Sequence, residues 1–260
     1  GEIAVSYKQK SYGFGRYYGE NKLQLQNISR KIRHTISNEK MIDVDMKNAH
    51  PSLLQWYCQT NNIPCEGLSY YIDNRDKCLD DIVKLKNIPK DEVKQDLLAI
   101  INGRDKYEGQ VDDYPDWYKE FYFNLTEITE RVSILEPRLR KTAEKSRQAN
   151  GKGDYNIGGT TINYMMTDLE NKCLMCIYDI CIQEKIKVGS LVYDGIMLYK
   201  DGLPKDLNKL FRKMEGRISE VLKGCKVEIL QKDMDGGYDI DREVMEYKVQ
   251  SLTHLIQNDP

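Results

Sequence analysis

Polar and apolar residues alternate on two different periods along this chain, and each change of period marks an element. In Met41–Asp45, MIDVD, apolar residues take every second place, the period of a strand. The apolar runs Gly189–Val192 and Ile196–Tyr199 flank Asp194-Gly195. An Asp-Gly pair between apolar runs predicts a hairpin. Lys226–Gln231 reads as a further strand. Most of the remaining chain follows the helical period. Helices are predicted over Ser52–Asn61, with Pro51 in the first turn, Ser69–Leu85, and Lys90–Ile101 between Pro89 and Asn102-Gly103. Trp117–Leu135 and Arg138–Asn150 follow, separated by Pro137, then Thr161–Lys185, Lys205–Leu222 and Ile240–Ile256. Leu25–Ile36 reads as a short turn or helix with basic residues on one side, Gly151–Gly159 as a glycine-rich turn, and residues 1–24 as loop or irregular strand. Few strands among many helices predict an α+β fold.

Composition narrows the class without naming it. A chain of 260 residues suits one large domain or two small lobes with a sizeable core. Apolar residues make up 40% and charged residues 31%, so the pattern is globular and soluble. The net charge of −2 gives no global sign of nucleic acid, and any basic surface must be local. The longest apolar stretches fall far short of the ~20 residues that span a bilayer, so no membrane partner is expected. No basic-then-apolar leader opens the chain, and its first residue is glycine, as in a piece cut from something longer. Seven cysteines, odd in number and scattered, point to a reducing intracellular setting. Cys173, Cys176 and Cys181 lie within a helical pattern and read as a buried face rather than a metal site. His34, His50 and His254 are too dispersed for a triad.

Two acidic segments carry the candidate chemistry, MIDVDMKNAHPSLL from Met41 and SLVYDGIML from Ser190. Alternation sends Asp43 and Asp45 to one face of their strand. Unpaired carboxylates on buried strands are costly, and two such strands can offset that cost by sharing divalent metal ions. Alone, each segment also suits a plain structural element: a strand with one solvated face, or an ordinary Asp-Gly turn. Lys90 and Lys94 share a helix face that could grip phosphates, with Lys86 one turn earlier, although a solvated basic stripe paired with Asp91 and Glu92 explains them equally. Tyr7, Tyr12, Tyr17 and Tyr18 suit either base stacking or packing.

Read in order, these pieces resemble the polymerase core of the DNA polymerase I family, family A. Gly15-Arg16 resembles its Thr-Gly-Arg element, and Leu25-Gln26-Asn27-Ile28 its Leu-Gln-Asn-Ile-Pro, with Ser29 in place of proline. Arg30-Lys31-Ile32-Arg33 resembles the arginine-bearing segment before motif A. Asp45 stands at the motif A aspartate, with His50 where a glutamate screens the sugar 2′ position; Asp45 to Ser52 also resembles motif A of family B. Lys90, Lys94 and Asn102-Gly103 match motif B spacing, with Asn102 in place of a tyrosine and Leu98 in place of an aromatic. Gly158-Gly159-Thr160-Thr161 resembles the Gln-Gly-Thr-Ala element, and Tyr193-Asp194-Gly195 stands where motif C has His-Asp-Glu. The matched order covers about residues 13–200 and is similar to divergent family-A-like proteins of large DNA viruses and phages.

The resemblance implies a right-hand palm, a small antiparallel sheet backed by helices, with a helical fingers insertion and no recognisable thumb or exonuclease. Residues 1–61 would be the first part of the palm, 62–150 the fingers, and 151–260 the second part. It implies a template-directed DNA polymerase using two Mg²⁺ ions, for which Mn²⁺ can substitute. Asp45, Asp194 and the Met46 carbonyl would be ligands, Lys94 catalytic, and Lys90, Lys94, His50 and Asn102 nucleotide contacts. Arg16, Gln26, Asn27, Arg30 and Arg33 would lie along the primer–template. The implied partners are a primer–template, nucleoside triphosphates and a helicase or processivity factor. A primase-like or RNA-making enzyme on the same palm, and a degenerate palm that only binds nucleic acid or a partner, are the alternatives. His50 substitution would separate the first from a DNA polymerase, and a melting shift with Mg²⁺ and nucleotide would separate the second.

Overall fold

The computed structural model describes residues 4–20, 24–103 and 113–234. The predicted helix Ile240–Ile256 and residue His254 lie outside the described residues. An antiparallel sheet of four strands sits at the centre, ordered β4-β5-β3-β6, where β3 is Met41–Lys47, β4 Val188–Val192, β5 Gly195–Tyr199 and β6 Glu228–Lys232. A second ribbon of two short strands, β1 (Tyr7–Lys8) and β2 (Tyr18–Gly19), lies near the start. The helices are α1 Arg30–Ser37, α2 Ala49–Thr60, α3 Glu66–Asp73, α4 Arg75–Lys86, α5 Lys90–Ile101, α6 Asp116–Leu135, α7 Pro137–Ala149, α8 Ile157–Gln183 and α9 Leu207–Val221. The fold is α+β. No described helix is long and apolar enough to cross a membrane.

The central place of β3 decides how its aspartates are treated. A strand paired on both sides and covered by helices reads as near-continuous burial, and six of its seven residues are buried. Asp43 is 6% and Asp45 3% exposed, so the solvated-face explanation of MIDVD does not hold. Helix α8 crosses behind the sheet with Met166, Cys173 and Ile177 in the core. One continuous apolar cluster joins Val44 and Ile196 of the sheet to Leu79, Leu97 and Phe121 of the helices. All seven cysteines are free and buried, as the helical spacing of three of them predicts. Burial pushes the Cys181 thiol up to about 12, so it packs as a small hydrophobe.

Two local corrections have physical causes. The predicted helix Ser69–Leu85 is two helices, parted at Asn74, which serves as the end of α3 and the start of α4. The hairpin turns on Tyr193-Asp194 rather than Asp194-Gly195, with Tyr193 at φ 56°. Gly195 is instead the first residue of β5, and glycine fits there because a Cβ would lie 2.8 Å from the Val44 carbonyl oxygen and 3.0 Å from Asp45 Oδ1. The tyrosine-rich start is packing: the Tyr12 ring lies 4.4 Å from that of Phe14 and 5.1 Å from that of Tyr164, and Tyr7 Oη meets Ser190 Oγ at 3.0 Å.

Candidate functional site

Strand register brings the two acidic segments together. Asp45 pairs with Gly195, so the carboxylate of β3 stands beside the turn that carries Asp194. Both line a cavity of about 620 Å³, together with Arg16, His50, Glu170 and Lys232 and with Arg75 of α4 and Lys94 of α5. Met46, the implied carbonyl ligand, also lines it.

Each carboxylate in or near this cavity has a different environment. Asp45 accepts the backbone N–H of Met46 through Oδ1 at 2.9 Å, and its Oδ2 is ion-paired with Lys232 from β6. Burial lowers the pKa of Lys232, against the pull of Asp43. Asp43, two residues before Asp45 on the strand, is held at 2.9 Å by the buried His34 Nε2 of α1. Asp194 is desolvated and sits beside Glu170, which together push its carboxyl up to about 6, against the pull of backbone hydrogen bonding and of Arg16 and His50. Burial would raise Glu170 as well, but hydrogen bonds from His50 and Arg16 outweigh it and hold the carboxyl below its usual range. Two carboxyl groups in one site are thus driven in opposite directions.

Glu170 organises a chain of polar contacts. Arg16 Nη2 donates to Oε2 at 2.6 Å and Arg16 Nε to Oε1. His50 Nε2 meets Oε2 at 2.7 Å, and His50 Nδ1 meets Asn102 Oδ1 at 2.8 Å. The Asn102 amide is oriented by its own donation to the Leu98 carbonyl at 2.9 Å, which leaves its oxygen facing His50 Nδ1. The Arg16 guanidinium also lies over the Tyr193 ring, 5.3 Å from its centroid. Glu170 was not singled out in the sequence. Its signal was present: a carboxylate amid the apolar helical spacing of Met166, Leu169, Cys173 and Ile177, and only 1% exposed.

The cations divide. Lys94 lines the cavity and also meets Asp91 at 2.8 Å. Lys90 does not share its position, because Asp80 at 2.9 Å and Asp76 at 3.5 Å hold it on the far side of the α4–α5 pair. Lys86 is likewise drawn to Asp96 at 3.8 Å. Arg75, which no sequence pattern marked, takes the place expected of Lys90, and its Nε is buried without a hydrogen-bond partner among the described residues. Asn102 braces His50 and does not line the cavity.

The residues expected along a nucleic acid also divide. Arg16 is turned into the cavity onto Glu170. Gln26 is buried, donating to the Tyr17 carbonyl at 2.9 Å and accepting from the Gly19 N–H at 3.1 Å. Arg33 is buried too, with Nη1 donating to the Ile28 carbonyl at 3.2 Å. Both hold the chain start in place, because buried donors and acceptors must be satisfied internally. Asn27 and Arg30 remain at the surface.

The donor set suits a divalent ion only with a phosphate ligand beside it. Among the described residues no three His, Cys, Asp or Glu side chains are grouped to hold a metal. Mg²⁺, however, is commonly bound by one or two carboxylates with substrate phosphates and water completing the shell. Asp45, whose cation partner is a lysine, and desolvated Asp194 would be the two carboxylates for such an ion.

No protein-family model matches the chain. A protein of Sputnik virophage, provisionally named helicase V13, is 30% identical over 241 residues. The alignment covers 90% of this chain and 30% of that protein's length. This similarity overturns the expected template-directed DNA polymerase, since the relative's name points to helicase work.

Proposed function

We propose that the Asp45–Asp194 cavity binds a nucleoside triphosphate with Mg²⁺ and promotes chemistry at its phosphates, in a protein that acts on nucleic acid. The observation that carries this reading is the convergence on one cavity of the carboxylates Asp45 and Asp194 with the cations Arg75 and Lys94 of α4 and α5. The palm-type platform suggested by the family A resemblance is kept as a platform for phosphate chemistry, and the polymerase activity is not. The helicase name of the virophage relative supports nucleoside triphosphate and nucleic acid as the ligand classes. The sequence carries no GxxxxGK[ST] loop; its one Gly-Lys pair, Gly151-Lys152, is preceded by Ser146 where the first glycine would stand.

Asp45 and Asp194 would hold the ion, which when bound neutralises phosphate charge and polarises the phosphoryl oxygens. Lys94 and Arg75 would hold the phosphate oxygens from α5 and α4, Arg75 through its planar fork and Lys94 as a point charge. Glu170 fixes Arg16 and His50 at the inner end, where the His50 ring presents a rigid edge to the bound nucleotide. The reading is tested by melting the protein with millimolar ATP or GTP and Mg²⁺, and by measuring phosphate release. A ligand at 100 times its Kd adds about 2.7 kcal/mol of stability. The expected result is a Tm rise that EDTA, Asp45→Asn and Asp194→Asn each remove, with phosphate release following the same pattern. No shift and no release would overturn the reading.

A further inference from the structure

The hairpin that carries Asp194 pairs Val192 with Gly195, so Tyr193 and Asp194 are its two turn residues. Tyr193 stands at φ 56°, in the left-handed region. Glycine adopts that conformation freely and asparagine tolerates it, whereas a bulky ring there is an outlier. Among the described residues the other non-glycine positions with positive φ are four asparagines and two lysines, so Tyr193 is the one aromatic held this way. Backbone strain of this kind persists only where the surroundings impose it, and it collects at functional sites. Burial does not account for it, because Tyr193 is 40% exposed and lines the cavity beside Asp194. The cavity's other tyrosine, Tyr71, is buried, with its ring 5.0 Å from that of Phe121. Tyr193 is therefore the accessible tyrosine of the site.

The ring is also held before any ligand arrives. The Arg16 guanidinium lies over it, 5.3 Å from the centroid, and a guanidinium above a ring attracts it through the π-system. That guanidinium cannot drift, since Nε and Nη2 both donate to buried Glu170. A side chain fixed in this way loses little freedom when a second flat group stacks on it. Every nucleobase has a π-face, so an aromatic platform accepts any of them. In a nucleotide one ribose separates base from phosphates, so phosphates at Asp194 would bring the base to the side chain next in the chain.

We infer that Tyr193 is the base platform of the cavity: the nucleobase stacks on the ring face away from Arg16 while the phosphates lie at Asp194. This rests on the phosphate reading of the cavity and adds to it the means of telling a nucleotide from a bare polyphosphate. The test is calorimetric titration of the full chain with Mg²⁺–ATP and with Mg²⁺–tripolyphosphate. Tripolyphosphate carries at least as much negative charge, so charge alone would not favour ATP. The parent protein is expected to bind ATP at least about fivefold more tightly, the low end of what one stacked base contributes. Tyr193→Asn removes the ring and puts in the turn a residue that tolerates positive φ. It is expected to erase the preference for ATP, with tripolyphosphate affinity and the ligand-free Tm near parent values, and Tyr193→Phe is expected to keep the preference. A triphosphate of a fluorescent purine whose emission is quenched by stacking should be quenched by the parent and not by Tyr193→Asn. Equal affinity for the two ligands in the parent would overturn the inference and leave the cavity reading standing. An equal loss for both in Tyr193→Asn would also overturn it, because the ring would then only shield the Arg16–Glu170 pair. Binding of neither ligand would overturn the cavity reading and this inference with it.

Discussion

The two walls of the cavity are built on opposite plans. On the sheet wall three carboxylates are buried and each is held by a partner from another part of the chain: Asp45 by Lys232, Asp43 by His34, Glu170 by Arg16 and His50. On the helical wall Lys94 is half-buried, and its ion-pair partner Asp91, three places away on its own helix, is exposed. Exposed pairs of that kind contribute little to stability and exchange readily. Buried pairs are different, since removing one partner strands the other in a low dielectric. The difference teaches a division of labour. The sheet wall sets fixed charge positions and is inseparable from folding, while the helical wall captures ligand with side chains that can move.

The largest expected effect breaks the sheet wall. Glu170→Ala leaves Arg16 and the buried His50 facing each other without the carboxylate between them, and breaking a buried pair typically costs about 3–5 kcal/mol. Urea unfolding should show that loss as a lower midpoint with an unchanged slope. Glu170→Gln should lose less, because the amide oxygen still accepts from one partner. If Glu170→Ala unfolds at the parent midpoint, the sheet wall is no more rigid than the helical one and the contrast fails.

A second, smaller effect uses the opposed carboxyl groups of the same wall. The folded pKa of Asp194 is raised to about 6 by desolvation and Glu170. Its contribution to stability is therefore fully present below the ordinary carboxylate value and is lost as pH rises through about 6. Glu170 has the reverse sign, with stability present above its unfolded pKa and lost as pH falls through its lowered folded value. Asp194→Asn should thus gain Tm over the parent protein at pH 7.5 and gain little at pH 4.5, in melts with EDTA. An equal gain at both pH values would show that Asp194 is ionised at no cost, which would remove its reason to bind a cation.

Much of the sheet wall was legible in the sequence, and the reason is local. Alternation in MIDVD and the apolar flanks of Asp194 are short-range patterns, and antiparallel pairing then brings them together. Lys90–Ile101 appears as a helix with the predicted bounds, since proline and Asn-Gly mark its two ends. What was hidden depends on contacts between distant segments. Glu170 matters because Arg16, 154 residues earlier, reaches it. Lys232 matters because β6 returns to the far edge of β3, and a lone lysine at a strand end gives no sign of that. Gln26 and Arg33 look like surface contacts until the chain start folds over them. The break at Asn74 that sets Arg75 on the cavity has no strong local signal either, since asparagine is only a mild helix breaker.

The helical wall supplies the finest discrimination. Lys90 and Lys94 are one turn apart and look equivalent in sequence. The structure separates them, because Asp76 and Asp80 hold Lys90 while Lys94 reaches the cavity wall. Lys94→Ala and Arg75→Ala should each weaken Mg²⁺–nucleotide binding by roughly tenfold, or about 1.4 kcal/mol, when titrated by calorimetry. Lys94→Ala should move the Tm of the ligand-free protein little, since its ion-pair partner Asp91 is exposed. Lys90→Ala should leave both the nucleotide affinity and the Tm unchanged within error. A tenfold loss from Lys90→Ala, with Lys94→Ala silent, would mean that bound nucleotide draws α5 round by one turn. The wall described here as merely adaptable would then be a moving part of the site, and the contrast between the two walls would be larger than the ligand-free structure shows.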